Sequence, residues 1–167
     1  MLIFGYGSLM GDNALRDCRG QRALLRGYHR SFNHVSNLRW GTSEHPCPIF
    51  GLSPGGECWG VAFEVPPQSQ RAVMRRLERR EGADERRQTR VKVELPEGPE
   101  EAWTWITRPE RLDGYSWEDR ALLARALQSA HGIVGTGAEY VRTVVHALEL
   151  HGLSDPEVQA VWERISA

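Results

Sequence analysis

Lysine is almost missing from this chain: Lys92 is the only one among 21 basic residues, so lysine chemistry has little scope. Cysteine is nearly as scarce. Cys18, Cys47 and Cys58 stand far apart with no Cys-x-x-Cys pair, which argues against a disulfide framework or a zinc site and suits a reducing, cytoplasmic setting. No stretch approaches the roughly 18 apolar residues of a membrane span. The first apolar run is too short, and lacks the basic flank, for a signal peptide. An excess of one charge sign is missing too. The formal net charge of −1 predicts no general attraction to nucleic acid or to a membrane surface. No G-x-x-x-x-G-K-[ST] run occurs, so a P-loop is excluded.

What is present reads as an ordinary globular chain of 167 residues, 40% hydrophobic and 26% charged, with a single domain expected over 1–167. Residues 2–5 read as a buried strand, and 11–18 as one or two helical turns capped by Asp12 or Asn13. Residues 23–36 have strand character, 37–47 read as a loop, and 49–52 with 58–65 predict a hairpin about the turn signal SPGGE. After Pro66-Pro67 a helix is expected from about 68 to 81. Residues 90–95 and 102–107 predict a second hairpin. The last third is helical: Ser116 caps a helix to about 130 with Asp119 placed as in a capping box, Thr136 and Glu139 form a capping box for one to about 150, and Asp155-Pro156 starts another. Strands first and helices later predict an α+β fold with a mostly antiparallel sheet or small barrel.

The helix QRAVMRRLERRE carries the first chemical signal. At 100° per residue, Val73, Met74 and Leu77 form its apolar stripe; Glu81 lies about 33° from the stripe centre and Glu78 about 90° away. Glu81 is therefore expected on the buried side. Burial and the negative end of the helix both disfavour its charged form, toward the range useful for an acid–base group. The plain alternative is an ion pair with Arg79, Arg80, Arg86 or Arg87. The eight arginines of residues 71–90 face four acids, and that interleaving reads as a solvated helix face rather than a nucleic-acid patch.

The segment FGYGSL at 4–9 places two glycines and a serine behind the first strand. Gly5, Gly7 and Gly11 approximate a dinucleotide fingerprint, yet no βαβ alternation follows, which argues against it. A Gly-rich turn and a helix start remain, aiming free backbone N–H groups at a small anion or carbonyl oxygen.

These segments together resemble the γ-glutamylcyclotransferase superfamily, most of all its ChaC-type branch. The likeness runs from about Leu2 to Pro156 through FGYGSL, LRGYHRSFNHVSNLRWGT at 25–42, ECWGVAFEV at 57–65, LERRE at 77–81 and GIVGTGAEYV at 132–141. It implies a small mixed or antiparallel β-barrel with surrounding helices. It also implies closure of a γ-glutamyl group to 5-oxoproline with release of an amine, and needs neither cofactor nor metal. By this resemblance Glu81 matches the catalytic glutamate, and Tyr6, Gly7, Ser8 and Leu9 match the loop that holds the γ-glutamyl group. Its main-chain N–H groups would bind either the α-carboxylate or the γ-carbonyl oxygen. Tyr140 matches a pocket tyrosine, Arg39 a cation for a substrate carboxylate, and Glu139 reads as a cap. The chain departs from the pattern at Gly82-Ala83-Asp84, where a Gly-Tyr pair is common, at Ile133, Val134 and Gly137, and at Pro46-Cys47-Pro48. A γ-glutamyl amino acid, peptide or amine therefore stands beside glutathione as the expected small-molecule substrate. A binding module of the same fold, its catalysis lost, is the alternative.

Overall fold

A computed structural model describes residues 1–112 and 117–167. Five strands, β1 (Leu2–Gly5), β2 (Arg19–Ser36), β3 (Cys47–Glu64), β4 (Arg86–Leu95) and β5 (Gly98–Thr107), close a barrel in the order β1-β3-β2-β4-β5. Every pairing is antiparallel except the closing one, where β1 runs parallel to β5 through Leu2 opposite Ala102 and Ile3 opposite Trp103. Closure leaves the sheet without a free edge along the paired stretches. The α-helices among the described residues are α1 (Gln70–Glu81), α2 (Arg120–Ser129), α3 (Gly137–Leu150) and α4 (Pro156–Ser166).

Strand alternation divides the apolar residues between two cores. Phe4, Leu25, Leu52, Cys58, Ala62 and Val93 fill the barrel. Their neighbours on the opposite face, among them Ile3, Val61, Phe63 and Val65, pack against Leu77, Leu123, Leu127, Val141, Val144 and Val158 of the helices. Two of the three later helix starts follow the sequence signals. The first is displaced: Asp119, expected inside a capping box opened by Ser116, is itself the cap of α2, accepting from the N–H groups of Ala121 and Leu122. Thr136 and Glu139 form a reciprocal capping box on α3, so Glu139 is occupied as a cap, its carboxyl held below the usual range mainly by the Thr136 N–H. Asp155 caps α4 ahead of Pro156. The expected Ser116 cap lies outside the described residues.

The hairpin expected about SPGGE does not form. Residues 47–64 are one strand, paired with β2 along its length from Ser36 opposite Cys47 to Arg19 opposite Glu64, and the reversal between the two occupies 37–46. The register slips between Arg26 and Tyr28, where Gly27, Gly55 and Gly56 adopt φ of 85°, 92° and 71°. The glycine run marks a bulge, which bends the long ribbon into the barrel wall. The strand boundaries also extend beyond the expected ones: β2 begins at Arg19, and β4 at Arg86, opposite Thr107. That second extension places Arg86 at the mouth of the barrel.

Candidate active site

The segment after β1 leaves the barrel at Tyr6 and coils through a short 3-10 turn, Ser8–Gly11. Within it the Met10 N–H donates to the Gly7 carbonyl. The N–H groups of Gly7, Ser8 and Leu9 donate to no protein acceptor among the described residues. Tyr6 is fixed at three points. Its hydroxyl donates to the Trp105 carbonyl at 2.6 Å and accepts from Arg86 Nη1 at 3.3 Å, and its own carbonyl accepts from Arg30 Nε at 2.6 Å. Burial pushes the Tyr6 hydroxyl pKa up, so it serves as a neutral hydrogen-bonding group. A Cβ added at Gly7 would meet only ordinary contacts, the Tyr140 hydroxyl at 3.7 Å and Phe50 Cβ at 3.8 Å. The protein itself therefore does not require glycine there; the missing side chain is open cavity.

Glu81 closes α1 and faces this turn. Its residue is 8% exposed although Glu78, on the neighbouring face, is open to solvent. The stripe and the ion-pair readings both hold. One carboxylate oxygen accepts from Arg80 Nη1 and the other from Arg86 Nη1 at 2.8 Å. Arg80 reaches on to Ser8, donating from Nη2 to Oγ at 2.8 Å. Its Nε lies 2.9 Å from Asp12 Oδ2 but off the line of a hydrogen bond, so that contact is Coulombic only. Arg86 also donates from Nη2 to the Phe50 carbonyl at 3.1 Å. The two arginines thus tie the carboxylate to the turn on one side and to β3 on the other.

Tyr140, from α3, comes in from the helical layer. It is buried against Trp40 and Phe50, with ring centroids 5.5 and 6.0 Å away. Its hydroxyl oxygen accepts from the Phe50 N–H at 2.7 Å. Burial pushes its pKa up as well, and its proton has no protein acceptor among the described residues, leaving it for a ligand. Arg39 is half-buried and makes no ion pair among the described residues. Burial, and then the Arg80 charge, lower its pKa; an added carboxylate would offset the repulsion from Arg80.

All seven of these residues, Tyr6, Gly7, Ser8, Leu9, Arg39, Glu81 and Tyr140, line one cavity of about 530 Å³, a size that suits a small peptide. At its mouth His34 sets Nδ1 against the Arg111 carbonyl at 3.0 Å and Nε2 against Glu85 at 3.2 Å. Arg80 and Arg86, expected as ion-pair partners of Glu81 or as part of a solvated helix face, also form part of the cavity wall. The adjacency of Arg80 and Glu81 at a helix end was visible; the return of Arg86 on β4 was not. No group of three or more potential metal ligands occurs among the described residues.

The ChaC-like protein family model matches residues 1–166. The glutathione-specific γ-glutamylcyclotransferase of Escherichia coli is 30% identical over 92% of this chain and 67% of its own length. The glutathione-specific γ-glutamylcyclotransferase 1 of Danio rerio is 32% identical over 93% and 81%. Among solved structures, a γ-glutamyl cyclotransferase specific to glutathione from yeast superposes with a TM-score of 0.87, covering 99% of this chain and 95% of that one at 18% identity, a likeness of fold.

Proposed function

The chain belongs to the ChaC-like protein family, and on that premise we propose that it is a γ-glutamylcyclotransferase acting on glutathione, with Glu81 as the proton-transfer group. The observation that carries the site assignment is that the Glu81 carboxylate and the 6–9 turn line one cavity.

The reaction needs a folded substrate and two protons carried from the attacking to the departing nitrogen. The α-ammonium of the γ-glutamyl group loses a proton to Glu81. The freed amine attacks its own γ-carbonyl carbon, forming the ring C–N bond. Glu81 passes that proton to the departing nitrogen as the amide C–N bond breaks, then takes the second proton from the ring nitrogen and delivers it to the released amine. 5-Oxoproline leaves, Cys-Gly leaves with its amine as an ammonium, and the carboxylate is restored. Holding the chain folded supplies most of the acceleration, because attack within one molecule removes the entropy of bringing two together. Proton transfer through a placed carboxylate adds about 10²–10⁴-fold.

The remaining groups divide the substrate among themselves. The Gly7, Ser8 and Leu9 N–H groups, unpaired within the described protein, receive an oxygen of the γ-glutamyl group. Tyr140 offers its hydroxyl proton next to Gly7. Arg39 receives a substrate carboxylate. Arg80 and Arg86 keep the Glu81 oxygens in place between uptake and return of the proton.

The test is incubation of the full chain with glutathione and a panel of γ-glutamyl dipeptides, following 5-oxoproline. Release from glutathione, abolished in Glu81→Gln, is expected. No product from any substrate removes the cyclotransferase reading; ligand binding without turnover would leave a binding module. Full activity in Glu81→Gln removes Glu81 from the mechanism.

A further inference from the structure

On the far side of the 6–9 turn from the cavity, a second charged group is sealed into the protein. The Arg30 side chain is 1% exposed and donates in three directions. Nε reaches the Tyr6 carbonyl at 2.6 Å, Nη2 the Trp59 carbonyl at 2.7 Å, and Nη1 the Asp155 carboxylate. Asp155 works twice: while Oδ2 holds Arg30, Oδ1 accepts from the Glu157 and Val158 N–H groups at 2.9 and 3.2 Å as the cap of α4. Neither Arg30 nor Asp155 lines the cavity. A guanidinium taken out of water carries a large desolvation penalty, which apolar packing in the same space would avoid.

The geometry of one peptide bond gives that interior cation a task. No peptide is cis among the described residues, and in a planar trans unit the carbonyl and the following N–H point in opposite directions. With the Tyr6 carbonyl held toward Arg30, the Gly7 N–H is turned away from it. Gly7 lines the cavity, and its N–H has no protein acceptor among the described residues. Rotation of this peptide plane would withdraw that donor. We infer that Arg30, braced by Asp155, is a positioning residue of the reaction: it fixes the plane of the Tyr6–Gly7 peptide so that the Gly7 N–H is presented to the γ-glutamyl group. Through Asp155 the start of α4 becomes part of the support of the site, 125 residues from Arg30 in sequence. This inference rests on the γ-glutamyl reading of the cavity.

Two substitutions test it in the full chain, each first shown folded by circular dichroism and a thermal melt. Arg30→Lys keeps the charge but loses the rigid fork that serves three acceptors. Asp155→Asn keeps a capping oxygen and removes the charge that holds Arg30. The expected result with glutathione is a KM raised about tenfold or more in Arg30→Lys and less in Asp155→Asn, with kcat within about threefold, as removal of uniform binding requires. A purely structural role would lower the amount of active enzyme, and so kcat, at unchanged KM; that result in the folded variants overturns the inference. The Gly7 amide resonance, observed with selective labels on Tyr6 and Gly7, reads the peptide plane without turnover. A resonance that moves in Asp155→Asn is expected, and one that stays overturns the inference even if the substrate reading fails. Absence of turnover in the wild type would remove the substrate reading alone.

Discussion

Two buried ionic clusters flank the same four-residue turn, and they differ in what surrounds them. On one side Glu81, Arg80 and Arg86 border a cavity of about 530 Å³, where a substrate can take over contacts now made within the protein. On the other, Arg30 is sealed from solvent and lies outside the cavity, its hydrogen bonds going to two backbone carbonyls and to Asp155, which also caps α4. The first cluster has partners to exchange; the second has none. Burial alone therefore does not mark a charged residue as chemical. Access to a cavity separates the group proposed to move a proton from the group proposed to hold the frame.

This contrast is open to direct attack. Glu81→Gln strikes the cavity side: turnover of glutathione is expected to fall by about 10²–10⁴-fold with the circular dichroism spectrum retained, and a variant that unfolds instead would make the two clusters alike. Arg30→Ala strikes the sealed side. It strands Asp155 and two carbonyls, and a loss of about 3–5 kcal/mol in urea unfolding is expected; a loss under about 1 kcal/mol would show that the cluster carries no structural weight. Tyr140→Phe sits between the two classes, since its hydroxyl both satisfies the Phe50 N–H and faces the cavity. Stability should drop by about 1–3 kcal/mol, together with a fall in kcat/KM. Stability without the kinetic loss would assign Tyr140 to the frame alone. Gly7→Ala is the mildest. The new Cβ meets only contacts of 3.7 Å and longer, so the melt should change by less than about 0.5 kcal/mol, while KM rises because the methyl occupies substrate space. An unchanged KM would mean that no ligand approaches Gly7.

Much of the frame was readable because its signals are local. The caps Thr136 with Glu139 and Asp155 each act within one helical turn, and α1 ends where Gly82 takes φ 71°. The stripe argument put Glu81 on the buried side of its helix from three neighbours alone. What escaped was set by distant partners. SPGGE looked like a turn because positive-φ glycines serve turns and bulges equally; only pairing with β2 decides between them. Arg86 lies ahead of the strand expected from residue 90, since RRQT lacks an apolar alternation, yet pairing with β5 draws it into a strand and onto Glu81. Arg30 belonged to a family-like stretch, and nothing near it in sequence announces Asp155.

The seam between β1 and β5 bears on how the molecule assembles. Only two residue pairs, Leu2 with Ala102 and Ile3 with Trp103, knit the parallel join, and each spans about a hundred residues of chain. Loop-closure entropy makes such contacts slow to form, whereas the long β2–β3 ribbon zips from a local reversal. β1 is therefore the strand expected to dock late, and the 6–9 turn is its direct continuation. A chain with its ribbon and helices already in place would still lack a formed site, and refolding enzyme would recover activity with its slowest phase, after most of its secondary structure has returned.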